Sequence, residues 1–278
     1  AVAFWAERRA RAGRLGWLRS PLVYTLSISV YCTAWTFYGA VGSAARNGLE
    51  FVTIYLGPTL VFIGWWWLLR KILRIGRTQR ITSIADLISS RYGKSAALGV
   101  VVTLLAVIGS TPYIALQLQS ITTSFSVFSP SDGSGFANEN ISAFWIAAVL
   151  AVFTILFGTR NVDANERHHG VVTAIALEAV VKLFALLAVG IFVVWGIGDG
   201  PAGIFARMSP EMLQTERLFG PRWVALTFLS ATAIITLPRM FQVTIVENSD
   251  ERHLSVASLA FPLYLFFMSL FVLPIAIA

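Results

Sequence analysis

The residues able to do chemistry in this chain sit inside stretches of hydrocarbon character, and that setting limits what they can do. Glu178 and Lys182 stand four apart in AIALEAVVKLFA with the acid first, the favoured order for an ion pair on one helical face. Arg239 follows Pro238 in LPRMFQVTIVEN, where the proline removes a backbone donor and kinks the helix. The segment LVYTLSISVYCTAWTFYGAVGSA carries Ser27, Ser29, Thr33 and Thr36, the aromatics Tyr31, Trp35, Phe37 and Tyr38, and then Gly39 and Gly42. Tyr113, Gln117 and Ser120 recur at helical spacing in a run that also holds Gly109 and Pro112. Polar groups are expensive in hydrocarbon and mark ion or solute pathways when they face one another. Each has a plainer reading as well. Glu178 and Lys182 can neutralise each other, Arg239 can snorkel to the interface, and the small residues can serve helix packing.

Other chemistries find no support. His168 and His169 are adjacent in a charged loop without metal-ligand spacing, which reads as a solvated pair. No span holds a nucleophile beside a base, so these residues alone are not read as an enzyme. Cys32 is the single cysteine, which forbids an internal disulfide and reads as a small buried residue. The net charge of +7 invites a nucleic-acid partner, but the Lys and Arg residues lie in short stretches between apolar runs and form no basic face.

The elements that position these groups are set by composition. The 278 residues are 56% hydrophobic and 13% charged, with a mean hydropathy of +0.73. Apolar runs long enough to cross about 30 Å of hydrocarbon occur near 22–44, 51–69, 98–127, 141–158, 171–197, 223–246 and 256–278. Backbone groups in lipid must be satisfied internally, so each run is expected to be helical. The expected fold is all-α, a polytopic transmembrane bundle with the lipid bilayer as its first partner. Residues 1–5 read as the end of a truncated helix. Basic connections alternate along the chain, which places 6–20, 70–97, 159–170 and 247–255 in the cytoplasm, although in the last Arg252 is offset by Glu247, Asp250 and Glu251 and adds little. Loop 129–140 lacks Lys and Arg, and loop 198–222 is expected to form a short amphipathic helix on the outer face. TSIADLISSRYG predicts a capped helix lying along the membrane surface.

The runs VYTLSISVYCTAWTFYGAVGSAA, QRITSIADLISSRYGKS, STPYIALQLQSI, FGTRNVDANERHHG, AIALEAVVKLFA and LPRMFQVTIVEN together resemble the sodium:solute symporter family, and most closely its branch fused to bacterial sensor histidine kinases. The resemblance implies a leucine-transporter-type (LeuT) inverted-repeat fold, incomplete at both ends of this chain. It makes 22–44 and 223–246 the two helices broken around a central site. Tyr31, Thr33, Trp35, Tyr113, Gln117 and Arg239 become the expected solute-binding residues, and Ser29 and Cys32 half of a sodium site. Glu178 and Lys182 remain an intramembrane ion pair. The function implied is a transporter-like input region of a sensor kinase that binds, and can import, an amino acid or organic acid. Its location would be the bacterial inner membrane, with a response regulator and a homodimer reached through kinase domains beyond residue 278. A plain sodium- or proton-coupled symporter and a non-transporting membrane anchor are the alternatives.

Overall fold

The structure is a computed structural model describing residues 2–12, 16–17, 20–128, 139–158, 169–209, 212 and 218–278. Loop 129–138, residues 159–168 with His168, the His169 side chain and parts of 6–20 and 198–222 lie outside the described residues.

Helix α1 spans Val2–Arg11, and α2 spans Pro21–Ile28. Ser20 starts α2 by accepting a hydrogen bond from the Val23 amide at 3.3 Å, with Pro21 at the first helical position, where no amide hydrogen is needed. A 3₁₀ turn, Ser29–Tyr31, leads to a short extended stretch and then α3, Ala34–Asn47. Helices α4 (Val52–Ile63), α5 (Leu69–Gln79), α6 (Ile84–Arg91), α7 (Ala96–Phe128), α8 (Glu139–Gly158) and α9 (His169–Ile191) follow. A π turn over Phe192–Ile197 extends α9, and the six-residue α10 covers Pro201–Ala206. Then come α11 (Pro221–Thr236), α12 (Pro238–Phe241) with a π turn over Gln242–Val246, α13 (Arg252–Ser269) and α14 (Val272–Ile277). No strand forms among the described residues.

Three helical stretches, Ala96–Val127, Gly170–Ile197 and Arg252–Ile277, are long and apolar enough to cross a membrane. Pro221–Thr236 and Pro238–Val246 together make a fourth, bent by 57°. The chain is a multi-pass membrane protein. Its helical segments depart from the expected spans in two places. The 51–69 run is helical only to Ile63, where Gly64, a poor helix former, is followed by turns through Trp65, Trp66 and Trp67. The 256–278 run is divided between α13 and α14. Where the expected surface helix falls, Ser83 accepts from the Asp86 amide and Asp86 accepts from the Thr82 amide, at 3.1 Å each, which caps α6.

The core forms where α4 packs on α11 and α13, and where α2 packs on α9 and α13. Ile28, Phe62, Phe241, Phe261 and Leu265 are buried there, with the Phe62 and Phe261 rings 4.7 Å apart. Lipid is as apolar as these side chains, so close packing rather than escape from water holds such helices together. Gly57 shows how close the packing is. A Cβ there would stand 2.0 Å from Ser230 Oγ and 2.5 Å from the Thr227 carbonyl oxygen, so α4 and α11 touch through backbone. The Ser230 hydroxyl seals the contact by donating to the Thr53 carbonyl at 2.7 Å. By contrast α7 and α8 turn Leu105, Ile108, Val149 and Ile155 outward, each more than half exposed, as a lipid-facing surface does.

Candidate functional site

Two interruptions of helical backbone meet in the middle of this bundle. The first lies in the hydroxyl-rich run. Thr25 and Ser27 donate to the Pro21 and Tyr24 carbonyls at 2.8 and 2.7 Å, and Ser29 donates to the Leu26 carbonyl. Such bonds offer the backbone alternatives to the helical ladder. After the 3₁₀ turn, Cys32 (φ −81°, ψ 105°) and Thr33 (φ −109°, ψ −173°) are extended. Helix α3 then restarts, with the Thr33 amide donating to Thr36 Oγ1 at 2.9 Å.

The second interruption is set by Pro238. The residue before a proline is pushed out of the helical region, and Leu237 adopts φ −69° and ψ 125°. One residue later, the Arg239 guanidinium lies over the Tyr113 ring, its carbon 4.5 Å from the centroid. Arg239 Nη2 donates to the Tyr113 hydroxyl at 2.9 Å, and that hydroxyl is 2.8 Å from Thr33 Oγ1. Tyr113 on α7 therefore ties both interruptions together. Arg239 Nε and Gln117 Nε2 are buried and make no hydrogen bond among the described residues. Gln117 lies one turn along α7 from Tyr113, on the same face.

The expected ion pair forms, with Lys182 Nζ 2.8 Å from Glu178 Oε1. Lys182 also does something that spacing could not reveal: it donates to the Cys32 carbonyl, again at 2.8 Å. The two cations, Lys182 and Arg239, thus flank the extended Cys32–Thr33 stretch against one carboxylate.

Of the expected solute residues, Thr33, Tyr113 and Arg239 come together with Gln117 close by. Trp35 points elsewhere, while Tyr31 lies near Tyr113 and Arg239 with its hydroxyl committed to α4. The Tyr31 hydroxyl donates to the Ile54 carbonyl at 2.8 Å, and its ring meets Phe261 edge-on. The Trp35 indole lies over Gly39, where its Nε1 occupies space a Cβ would need, and the residue is 40% exposed. The aromatic cluster in that run therefore serves helix contacts as much as the site. Buried Ser29 donates to its own helix, at Leu26, and pairs with the Tyr264 hydroxyl of α13.

Clamps at the ends of the bundle went unseen in the sequence because they join distant segments. Arg222 grips buried Glu50 with two hydrogen bonds, at 2.7 and 3.0 Å. At the other end Glu251 accepts from both Arg70 and Arg74, and Arg77 donates to Asn248 Oδ1 at 2.8 Å. The hydrogen bonds from Arg74 and Arg70 hold the Glu251 carboxyl well below the usual range, at about 2. Read as sequence, Glu251 merely offset Arg252; its partners are on α5.

In sequence the chain has a known relative. An uncharacterized symporter, YhjB, of Bacillus subtilis (strain 168) is 25% identical over 177 residues, covering 61% of this chain and 32% of that protein. The chain is similar to a symporter. It spans about a third of the length of that relative. No family profile matches the chain, and no solved structure does.

Proposed function

We propose that this chain is the solute-binding part of a symporter-type transporter, taking a small carboxylate-bearing solute, an amino acid or organic acid, between its two interrupted helices. The observation that carries the reading is the Tyr113 hydroxyl, bonded at once to Thr33 beside one interruption and to Arg239 beside the other. Arg239 keeps a buried Nε free of partners among the described residues, and a guanidinium edge suits a carboxylate. The excess of cationic over anionic groups around Cys32–Thr33 favours an anionic group on the solute. A LeuT-type inverted repeat accounts for two interrupted helices facing each other, and the alternation of basic loops puts the Arg70–Arg74–Glu251 clamp on the cytoplasmic side. In this reading the solute shifts the bundle between outward- and inward-open forms by binding one form more tightly. Thermal unfolding of the purified full-length protein against a panel of amino and organic acids, followed by uptake into proteoliposomes, tests it. Stabilisation by a carboxylate-bearing compound is expected in wild type and lost in Arg239→Gln; a panel with no response sinks the proposal.

A second reading makes the same site the input of a sensor histidine kinase. The motifs FGTRNVDANERHHG and LPRMFQVTIVEN, which resemble that branch, support it. The sequence beyond Ala278 decides: a kinase region favours sensing, and its absence leaves transport alone.

A further inference from the structure

The carbonyl end of α2 is the negative end of a helix dipole inside an apolar bundle, a place for a cation. The family resemblance would put sodium there, using Ser29 and Cys32. The groups present do not suit it. Lys182 Nζ sits 2.8 Å from the Cys32 carbonyl oxygen and is held from behind by Glu178, also at 2.8 Å. The Ser29 hydroxyl is already engaged, donating to the Leu26 carbonyl and paired with the Tyr264 hydroxyl. Hard cations lie about 2.4 Å from their oxygen ligands, so a second cation on the same oxygen would stand within about 5 Å of the ammonium. Repulsion from the ammonium, the nearer charge of the pair, and its hold on the oxygen both disfavour joint occupancy.

We infer that the cation at this interruption is the chain's own Lys182 ammonium, and that the solute site works without sodium on Cys32. The inference rests on the reading of the interruptions as a solute site. Its logic is that of a tethered ion: α9 carries the charge that a bound ion would otherwise bring, and Glu178 keeps it aimed at α2. Lys182 is a positioning residue here, setting the conformation of the extended stretch.

Cys32 provides the readout, because its thiol lies buried beside the bonded carbonyl. The purified full-length protein is treated with N-ethylmaleimide in sodium chloride or choline chloride, and alkylation of the Cys32 peptide is followed by mass spectrometry. Wild type should react at the same slow rate in both salts. Lys182→Met should react roughly ten- to a hundredfold faster, the change expected when a hydrogen bond to a charged group is lost. Should the lone Glu178 prevent that variant from folding, Glu178→Gln with Lys182→Met removes both charges and should give the same acceleration. Slower alkylation of wild type in sodium than in choline overturns the inference, as does an unchanged rate in the variants. Thermal unfolding with the carboxylate panel in each salt separates the two levels. Binding that requires sodium overturns the tethered cation and leaves the transporter reading standing, equal binding in both salts supports both, and no binding in either overturns the solute site itself.

Discussion

Replacing Tyr113 by Phe removes one oxygen atom, yet that atom is the link between the two interruptions. Two hydrogen bonds go with it, one to Thr33 Oγ1 at 2.8 Å and one from Arg239 Nη2 at 2.9 Å. Between neutral side chains within a membrane such a bond is worth about 0.6 kcal/mol and at most about 1.7. With a charged partner the range is about 1.5–3 kcal/mol. Tyr113→Phe should therefore destabilise the folded protein by roughly 2–5 kcal/mol, while the ring keeps its stacking on the guanidinium. Tyr113→Leu should cost more, since the stacking is lost as well. The sharper test is a double-mutant cycle with Thr33→Val, using equilibrium unfolding of the full-length protein in mixed micelles. The coupling between the two substitutions isolates the Thr33–Tyr113 bond and should be about 0.6–1.7 kcal/mol. Additivity within about 0.3 kcal/mol would show that the hydroxyl does not join the two segments, and the site as drawn would be wrong.

Gly57→Ala should destabilise by about 1–3 kcal/mol, because the new methyl meets the α11 backbone at Thr227 and Ala231 as well as the Ser230 hydroxyl; a thermal melt unchanged from wild type would contradict the close α4–α11 approach. Glu251→Gln should lower stability most at neutral pH. The carboxyl is depressed to about 2 in the folded protein, so its contribution is present above the ordinary carboxylate range near 4.5 and fades as pH falls through about 2. Unfolding curves of wild type and Glu251→Gln should converge on acidification, and a constant gap would refute the assignment. Arg222→Ala strands a buried carboxylate on Glu50, so Glu50→Gln together with Arg222→Ala should melt higher than Arg222→Ala alone.

Much of the architecture could be read from residue order, and the reason is physical. Hydrocarbon forces helices on apolar runs, and only a few residue types interrupt them. Pro238 dictates an extended Leu237, so the second interruption was visible in a dipeptide. The first was visible more diffusely, as a cluster of Ser, Thr and β-branched residues that weakens the helix between Ser29 and Thr33. Side-chain direction was harder. Trp35 and Thr33 lie two residues apart, and only the restart of α3 decides that one turns back on Gly39 while the other meets Tyr113. Contacts across the fold were hidden altogether. The spacing of Glu178 and Lys182 foretold their pairing, but nothing in α9 itself names the Cys32 carbonyl as the second partner.

The extended Cys32–Thr33 stretch has a consequence for how such a protein can diverge. A carbonyl oxygen belongs to the peptide link and is encoded by no particular codon. Whatever residue stands at position 32, the acceptor that Lys182 reaches remains, provided the chain still unwinds there. Selection then acts on the shape of the backbone and on the few side chains that aim at it. The surrounding helices are free to drift among apolar residues of similar volume. A recognition centre written partly in main-chain atoms can outlast most of the sequence around it.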